Sequence, residues 1–310
     1  MISTTFGKTK PSNYVIILTV LFVFYGCISI FLFKESYSLE NIFSHSLTVA
    51  VLLFSVMIID FIVKRNKITS THTYAVLFFS ILIIFFPEIL ADKNSIFCTF
   101  FILLAIRRLL SVKSLLKIKA KIFDASLWIL VSSLFYDWSL LFLLLVFITI
   151  YLYEPKNIRN WFVPFISVVV FSSISLSVLA LTDYFIFIEK HYTFTLDFTV
   201  AYFFNWQNST LPIIYFFITS ITIFITLIKV GASGLGRIIN MRLLAITYVI
   251  GIIITLLNSS TNISAILLTF FPAAVCISNY IETIKKPKNK EVLFIVSIIL
   301  PLILLIFKFY

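Results

Sequence analysis

Ser132-Ser133-Leu134-Phe135-Tyr136-Asp137-Trp138-Ser139-Leu140-Leu141 stands near the middle of the chain, and the reading of both flanks depends on whether it turns or runs straight. If it runs straight, Asp137 is a charge in hydrocarbon. If it turns, Asp137 sits at the tip of a short helical hairpin. The composition sets the stage for that choice. The chain has 310 residues, of which 61% are hydrophobic and 12% charged, and 36 are Phe. Apolar runs repeatedly reach the roughly 18–20 residues that a helix needs to cross a bilayer. The expected fold class is therefore all-α, a polytopic bundle forming one integral membrane domain over residues 1–310.

The spans are expected at about 14–33, 42–63, 73–91, 95–110, 162–182, 211–229, 243–258, 263–281 and 292–307, with 125–153 between them as the undecided region. Charge decides it. If residues 125–136 and 139–153 form a short hairpin, there are about 11 crossings with the N-terminus cytoplasmic and the C-terminus periplasmic. The cytoplasmic loops then hold 20 Lys and Arg and the outer loops 4, namely Lys34, Lys93, Lys190 and Lys308. As one straight helix the split becomes 13 to 11. Cytoplasmic loops carry an excess of Lys and Arg, and only the hairpin produces one. The net charge of +11 is thereby assigned to those loops rather than to nucleic acid.

Twelve helical residues rise about 18 Å, short of a hydrocarbon core of roughly 30 Å. The turn at Asp137 thus sits below the outer surface or under a thinned bilayer. Backbone that is not helical survives at that depth only against protein or a water-filled cavity. Asp137 reads either as an ionisable group lining such a cavity or, with Tyr136 and Trp138, as part of an aromatic interfacial anchor.

Just before the hairpin, Ser111 to Phe123 (SVKSLLKIKAKIF) separates apolar residues from Lys113, Lys117 and Lys121 at helical spacing. An interfacial basic helix over 111–123 on anionic lipid and a plain basic loop both fit it. Asp124-Ala125-Ser126 reads as an N-cap restarting a helix.

Acids gather on the expected outer side, where Glu35 and Glu40 share the first loop. The long outer loop 183–210 holds Asp183, Glu189, Lys190, His191, Asp197 and Trp206. Loops of that length among tight turns are uncommon and suit a binding lid, a disordered excursion or an interfacial helix. His45, His72 and His191 are the only histidines, and His72 is expected opposite the other two, so no multi-histidine metal site is expected. No HExxH, CxxC or GxSxG occurs. No resident metal or cofactor is predicted. Cys27, Cys98 and Cys276 fall in apolar runs and imply no disulfide framework.

The succession Phe6-Gly7-Lys8, Lys10-Pro11, Asn13, Arg107-Arg108-Leu109-Leu110-Ser111, Ile122-Phe123-Asp124-Ala125-Ser126-Leu127-Trp128, Phe271-Pro272-Ala273 and Asn279-Tyr280 resembles an uncharacterised family of roughly 300-residue inner-membrane proteins from Bacteroidota-type bacteria. The resemblance implies a multi-pass protein of the bacterial inner membrane. At the level of topology the chain is also similar to membrane glycosyltransferases that use polyprenyl-phosphate-linked sugars. That likeness implies Glu35 or Glu40 as base, Asp137 as a second acid, and Lys190 with His191 near the lipid phosphate, Asp183 and Trp206 flanking them on the same loop. It also implies an outward carboxylate able to position a divalent metal. The thin supply of outer cations, four Lys and no Arg, is a departure from it. The alternatives are a non-catalytic subunit of a cell-envelope assembly or secretion complex, with other envelope proteins as partners, and a transporter or lipid flippase. In every case the lipid bilayer is a partner.

Overall fold

The computed structural model describes residues 2–31, 39–194, 206–231, 234–257 and 263–309, with the side chains of Glu40 and Trp206 outside that description. Among the described residues the protein is all-α and 86% helical. In chain order the helices are α1 (Ile2–Phe6), α2 (Pro11–Phe31), α3 (Leu39–Arg65), α4 (Tyr74–Phe85), α5 (Lys93–Ser111), α6 (Ile118–Ser132) and α7 (Leu143–Tyr153). They continue with α8 (Ile158–Thr182), α9 (Ile186–His191), α10 (Trp206–Val230), α11 (Leu235–Leu257), α12 (Leu267–Glu282) and α13 (Pro287–Phe309). Short 3-10 turns at Pro87–Ala91, Val112–Ser114, Asp137–Phe142 and Ser264–Ile266 adjoin α4, α5, α7 and α12.

Among the described residues, seven segments are each long and apolar enough to cross a membrane: Pro11–Phe31, Asn41–Arg65, Lys93–Ser114, Ile158–Thr182, Ser209–Val230, Gly236–Leu257 and Ser264–Glu282. Tyr74–Phe85 and Asp137–Tyr153 are apolar but shorter. Burial separates an inner set from an outer one. The Ser264–Glu282 span is 89% buried, whereas that at Ile158–Thr182 is 17% buried. The exposed flanks of α2, α3, α8, α10 and α13 carry Phe22, Phe54, Phe165, Leu181, Phe217 and Ile299. Apolar surface of this extent is what lipid covers and water does not.

The packing of the inner helices follows from small residues and from hydrogen bonds made between spans. A Cβ on Gly251 of α11 would lie 2.7 Å from Thr269 Cγ2 of α12, so glycine lets the two backbones approach. Tyr215 of α10 reaches Thr269 Oγ1 at 2.8 Å, and Tyr248 of α11 bonds Thr219 of α10. With no water to compete, such polar pairs couple neighbouring spans.

The central stretch turns. α6 ends at Ser132, and Tyr136 is extended before the 3-10 turn at Asp137. Direction follows from the pairings. At one end Arg108 of α5 pairs with Asp124 of α6 at 3.0 Å, and at the other Phe97 stacks on Phe135, so α5 and α6 are antiparallel. Ser167 of α8 lies against Phe123, while Tyr192, just after α9, reaches Ser133, so α6 and α8 run the same way. α7 makes the return stroke between them. Freed backbone groups at the turn find partners: Ser132 Oγ donates to Ile129 O at 2.6 Å, Ser133 Oγ to Leu130 O at 2.7 Å, and His191 Nε2 to Ser133 O at 2.7 Å. That is the condition for irregular backbone at membrane depth.

Residues 111–123 differ from a single interfacial helix. They form the last residue of α5, the 3-10 turn with Lys113, two left-handed residues (Leu115, φ 54°; Lys117, φ 49°), and the first turns of α6 with Lys121. Asp124 does not cap a helix start. It lies inside α6, where Arg108 from the preceding helix takes its charge. Helix initiation moved upstream because the reversal at Leu115 and Lys117 already frees Ile118 to begin it.

Candidate functional site

One end of the bundle is tied together by polar contacts. Tyr14 OH donates to Asp60 Oδ1 at 2.9 Å, and Asp60 pairs with Lys64 at 2.8 Å. His72 Nε2 meets Glu282 Oε1 at 2.6 Å, Ser70 N–H and Oγ donate to the same carboxylate, and Arg237 lies 3.8 Å from it. Ser3 bonds Glu291, Lys229 Nζ donates to Thr283 Oγ1 at 2.7 Å, and Tyr153 OH donates to Asn240 Oδ1 at 3.2 Å. The termini of helices from α1 to α13 thus share this end. Most of the Lys and Arg stand here, whereas Lys93, Lys190 and, by its place late in α13, Lys308 stand at the other.

At the opposite end the expected outer residues divide. Asp137 accepts from Trp138 N–H at 2.7 Å, and the turn that carries it meets His191 and Tyr192. Burial, with the Asp137 carboxylate adding to it, holds the Tyr192 phenol above its ordinary value, against a lowering effect of the Ser133 hydrogen bond. The turn that carries Asp137 is therefore where His191 and Tyr192 dock, each through Ser133. Asp183 is left-handed (φ 51°) at the C-terminus of α8, and Lys190 is exposed on α9. Glu35 lies outside the described residues, as do the side chains of Glu40 and Trp206. Asp92, another acid at this end, is structural: its Oδ1 accepts from Asn94 N–H at 3.0 Å as the N-cap of α5, and its Oδ2 accepts from Ser264 Oγ at 2.5 Å.

The basic end contains a cavity of about 620 Å³ whose lining includes Arg65, Lys67, Arg107, Arg108, Lys113 and Lys121. None of the described residues lining it is acidic. Two helix ends build it. α3 finishes in Lys64-Arg65 and α5 in Arg107-Arg108-Leu109-Leu110-Ser111, where cations complement the negative ends of the helix dipoles. The Arg107 guanidinium lies 4.5 Å from the Phe61 ring centroid and so fixes α5 against α3. Lys121 is brought back by the left-handed turn and donates to Ser111 O and Ser114 Oγ, both at 2.6 Å. Burial, then the neighbouring Arg108 charge, lowers the Lys121 pKa. Positive charges here repel one another, and an anion among them would relieve that repulsion. Lys67, Leu115 and Lys117 are left-handed without being glycine, a conformation that costs energy and tends to collect at binding sites.

A family of unknown function, DUF6427, matches residues 10–310. The chain belongs to the DUF6427 family. No curated protein and no solved structure matches it. In this DUF6427 chain, Lys113 and Lys121, expected to lie on a lipid surface, line the cavity, and Lys117, expected there too, is exposed and outside its lining. In the sequence Arg65, Lys67, Arg107 and Arg108 count among the loop charges that fix orientation, and Arg107-Arg108 also among the residues of the family resemblance. Their signal was the paired Lys64-Arg65 and Arg107-Arg108 closing two apolar runs. Whether those two ends are neighbours is a tertiary fact.

Proposed function

We propose that this DUF6427 protein is an eleven-pass protein of the bacterial inner membrane, with the N-terminus and the basic end cytoplasmic, that holds a phosphate-bearing anion at that end. Six cations around one cavity with no acidic residue described in its lining carry the reading. Arginine presents a planar fork of donors suited to phosphate oxygens, and lysine adds mobile point charges. A ligand that binds only the folded protein stabilises it by mass action. Pyrophosphate or phosphatidylglycerol should therefore raise the unfolding midpoint of the detergent-solubilised protein, and Arg107→Gln with Arg108→Gln should remove most of that rise. A midpoint that responds to neither compound would end the proposal.

A second reading, an outward-facing glycosyltransferase-like enzyme, is favoured by the meeting of Asp137, His191 and Tyr192 at one turn. Asp137 with Glu35 or Glu40 would supply the acid and base and hold any divalent metal, and Lys190 would face the donor's polyprenyl phosphate. Assays of purified protein with a polyprenyl-phosphate-linked sugar, and envelope glycans after Glu35→Ala and Glu40→Ala, test it. No turnover and unchanged glycans would remove it.

A further inference from the structure

The basic cavity does not stand alone. Arg108 lines it and also lines a groove of about 540 Å³ between α6 and α8. Asp124 shares the groove's charged end with Arg108, and from there the groove is apolar, its walls including Leu127, Trp128, Val131, Phe171, Val178 and Phe187. Asp124 to Leu134 spans about ten residues of helical rise, roughly 15 Å, or half of a hydrocarbon core of roughly 30 Å. A groove that begins at a cluster of cations and runs inward for the depth of one leaflet has the shape of one lipid molecule. Its outer helix, α8, is among the least buried spans, so the groove opens where lipid arrives.

We propose that an anionic phospholipid of the leaflet at the basic end seats its phosphate among Arg107, Arg108 and Lys121 and lays one acyl chain along Trp128 in the α6–α8 groove. This rests on the phosphate-binding reading above and names the ligand of that site. Two complementarities select it: apolar walls accept an acyl chain of any phospholipid, and the cationic mouth favours the one whose headgroup keeps a net negative charge. A free phosphate compound would use the mouth and leave the groove to whatever lipid lay nearby. The Asp124 carboxylate opposes an anion at the mouth while holding the Arg108 guanidinium in place.

The test uses the full-length protein in phosphatidylcholine vesicles containing a small fraction of chain-brominated phosphatidylglycerol or, in parallel, chain-brominated phosphatidylcholine. Bromine quenches a tryptophan it touches, and the part of the quenching lost in Trp128→Phe belongs to this groove. The expected result is Trp128 quenching at a roughly tenfold lower fraction of the anionic lipid. That preference should collapse in Arg107→Gln with Arg108→Gln and increase in Asp124→Asn. Lys121→Gln, which leaves both arginines and the Arg108–Asp124 pair in place, should weaken it and guards against a misfolded double variant. Equal quenching of Trp128 by the two brominated lipids, or a preference unchanged by Lys121→Gln and Asp124→Asn, would overturn the inference. Equal quenching alongside stabilisation by pyrophosphate would defeat it while leaving the phosphate reading in place. Loss of both responses would defeat the two together.

Discussion

Glu282 ends the most buried span of the bundle with a carboxylate that answers to two other parts of the chain. His72 and Ser70 come from the segment before α4, and Arg237 comes from the start of α11. His72 also stacks on Tyr74, with ring centroids 4.1 Å apart. Removing one partner of such a half-buried group leaves the others under-satisfied, which costs about 1–3 kcal/mol. Glu282→Gln is therefore expected to lower unfolding stability by about that amount, and by more than Glu189→Gln on the exposed face of α9, measured by thermal unfolding in detergent. Equal midpoints for the two variants would contradict it. Nothing along the chain pairs Glu282 with His72: the ion pair needs two segments brought together across 210 positions.

Two elements hold the middle of the bundle, the turn after α6 and the close crossing of α11 with α12. At the turn, Ser133 is a hub: its hydroxyl bonds Leu130 O and Tyr192, and its carbonyl accepts from His191. Ser133→Val should loosen the docking of Tyr192 and expose Cys98, which is fully buried nearby. In a Cys27→Ser background, maleimide labelling of Cys98 is expected to accelerate by about tenfold, the factor that a loss of roughly 1.4 kcal/mol produces. An unchanged rate would mean that the turn does not depend on this serine. At the crossing, Gly251→Ala places a methyl group against Thr269 Cγ2 and should destabilise by about 1–3 kcal/mol. Adding Thr269→Ser removes that methyl, keeps a hydroxyl for Tyr215, and should restore part of the loss in a double-mutant cycle. Strict additivity would speak against the contact. The turn was legible in the chain because the distribution of charge among the loops demanded it. The crossing was not, since a lone glycine in an apolar run does not say which neighbour it admits.

For the whole molecule, α1 packs at the start of α13, and α13 then runs for 23 residues, about 35 Å, to Phe309. The proposed eleven-pass topology requires that course together with the basic end lying in the cytoplasm. A reporter that is active only in the cytoplasm should work when fused to the N-terminus and fail at the C-terminus, and a periplasmic reporter should do the reverse. Termini found on one side would refute the orientation and, with it, the assignment of a leaflet to the lipid groove.

The amino-acid order alone determined that the chain is helical and multi-pass, that it breaks near Tyr136, and that its cations are unevenly shared among its loops. Those are properties of run length and residue type along one dimension, and they survive any arrangement of the helices. Only the tertiary structure decided that Arg65, Lys67, Arg107, Arg108, Lys113 and Lys121 surround one space and that an apolar groove leads away from it. That outcome depends on α3 ending beside α5, and on Lys67, Leu115 and Lys117 taking up left-handed conformations. A cation in sequence says which side of a membrane it prefers; a neighbouring helix end says what it can bind.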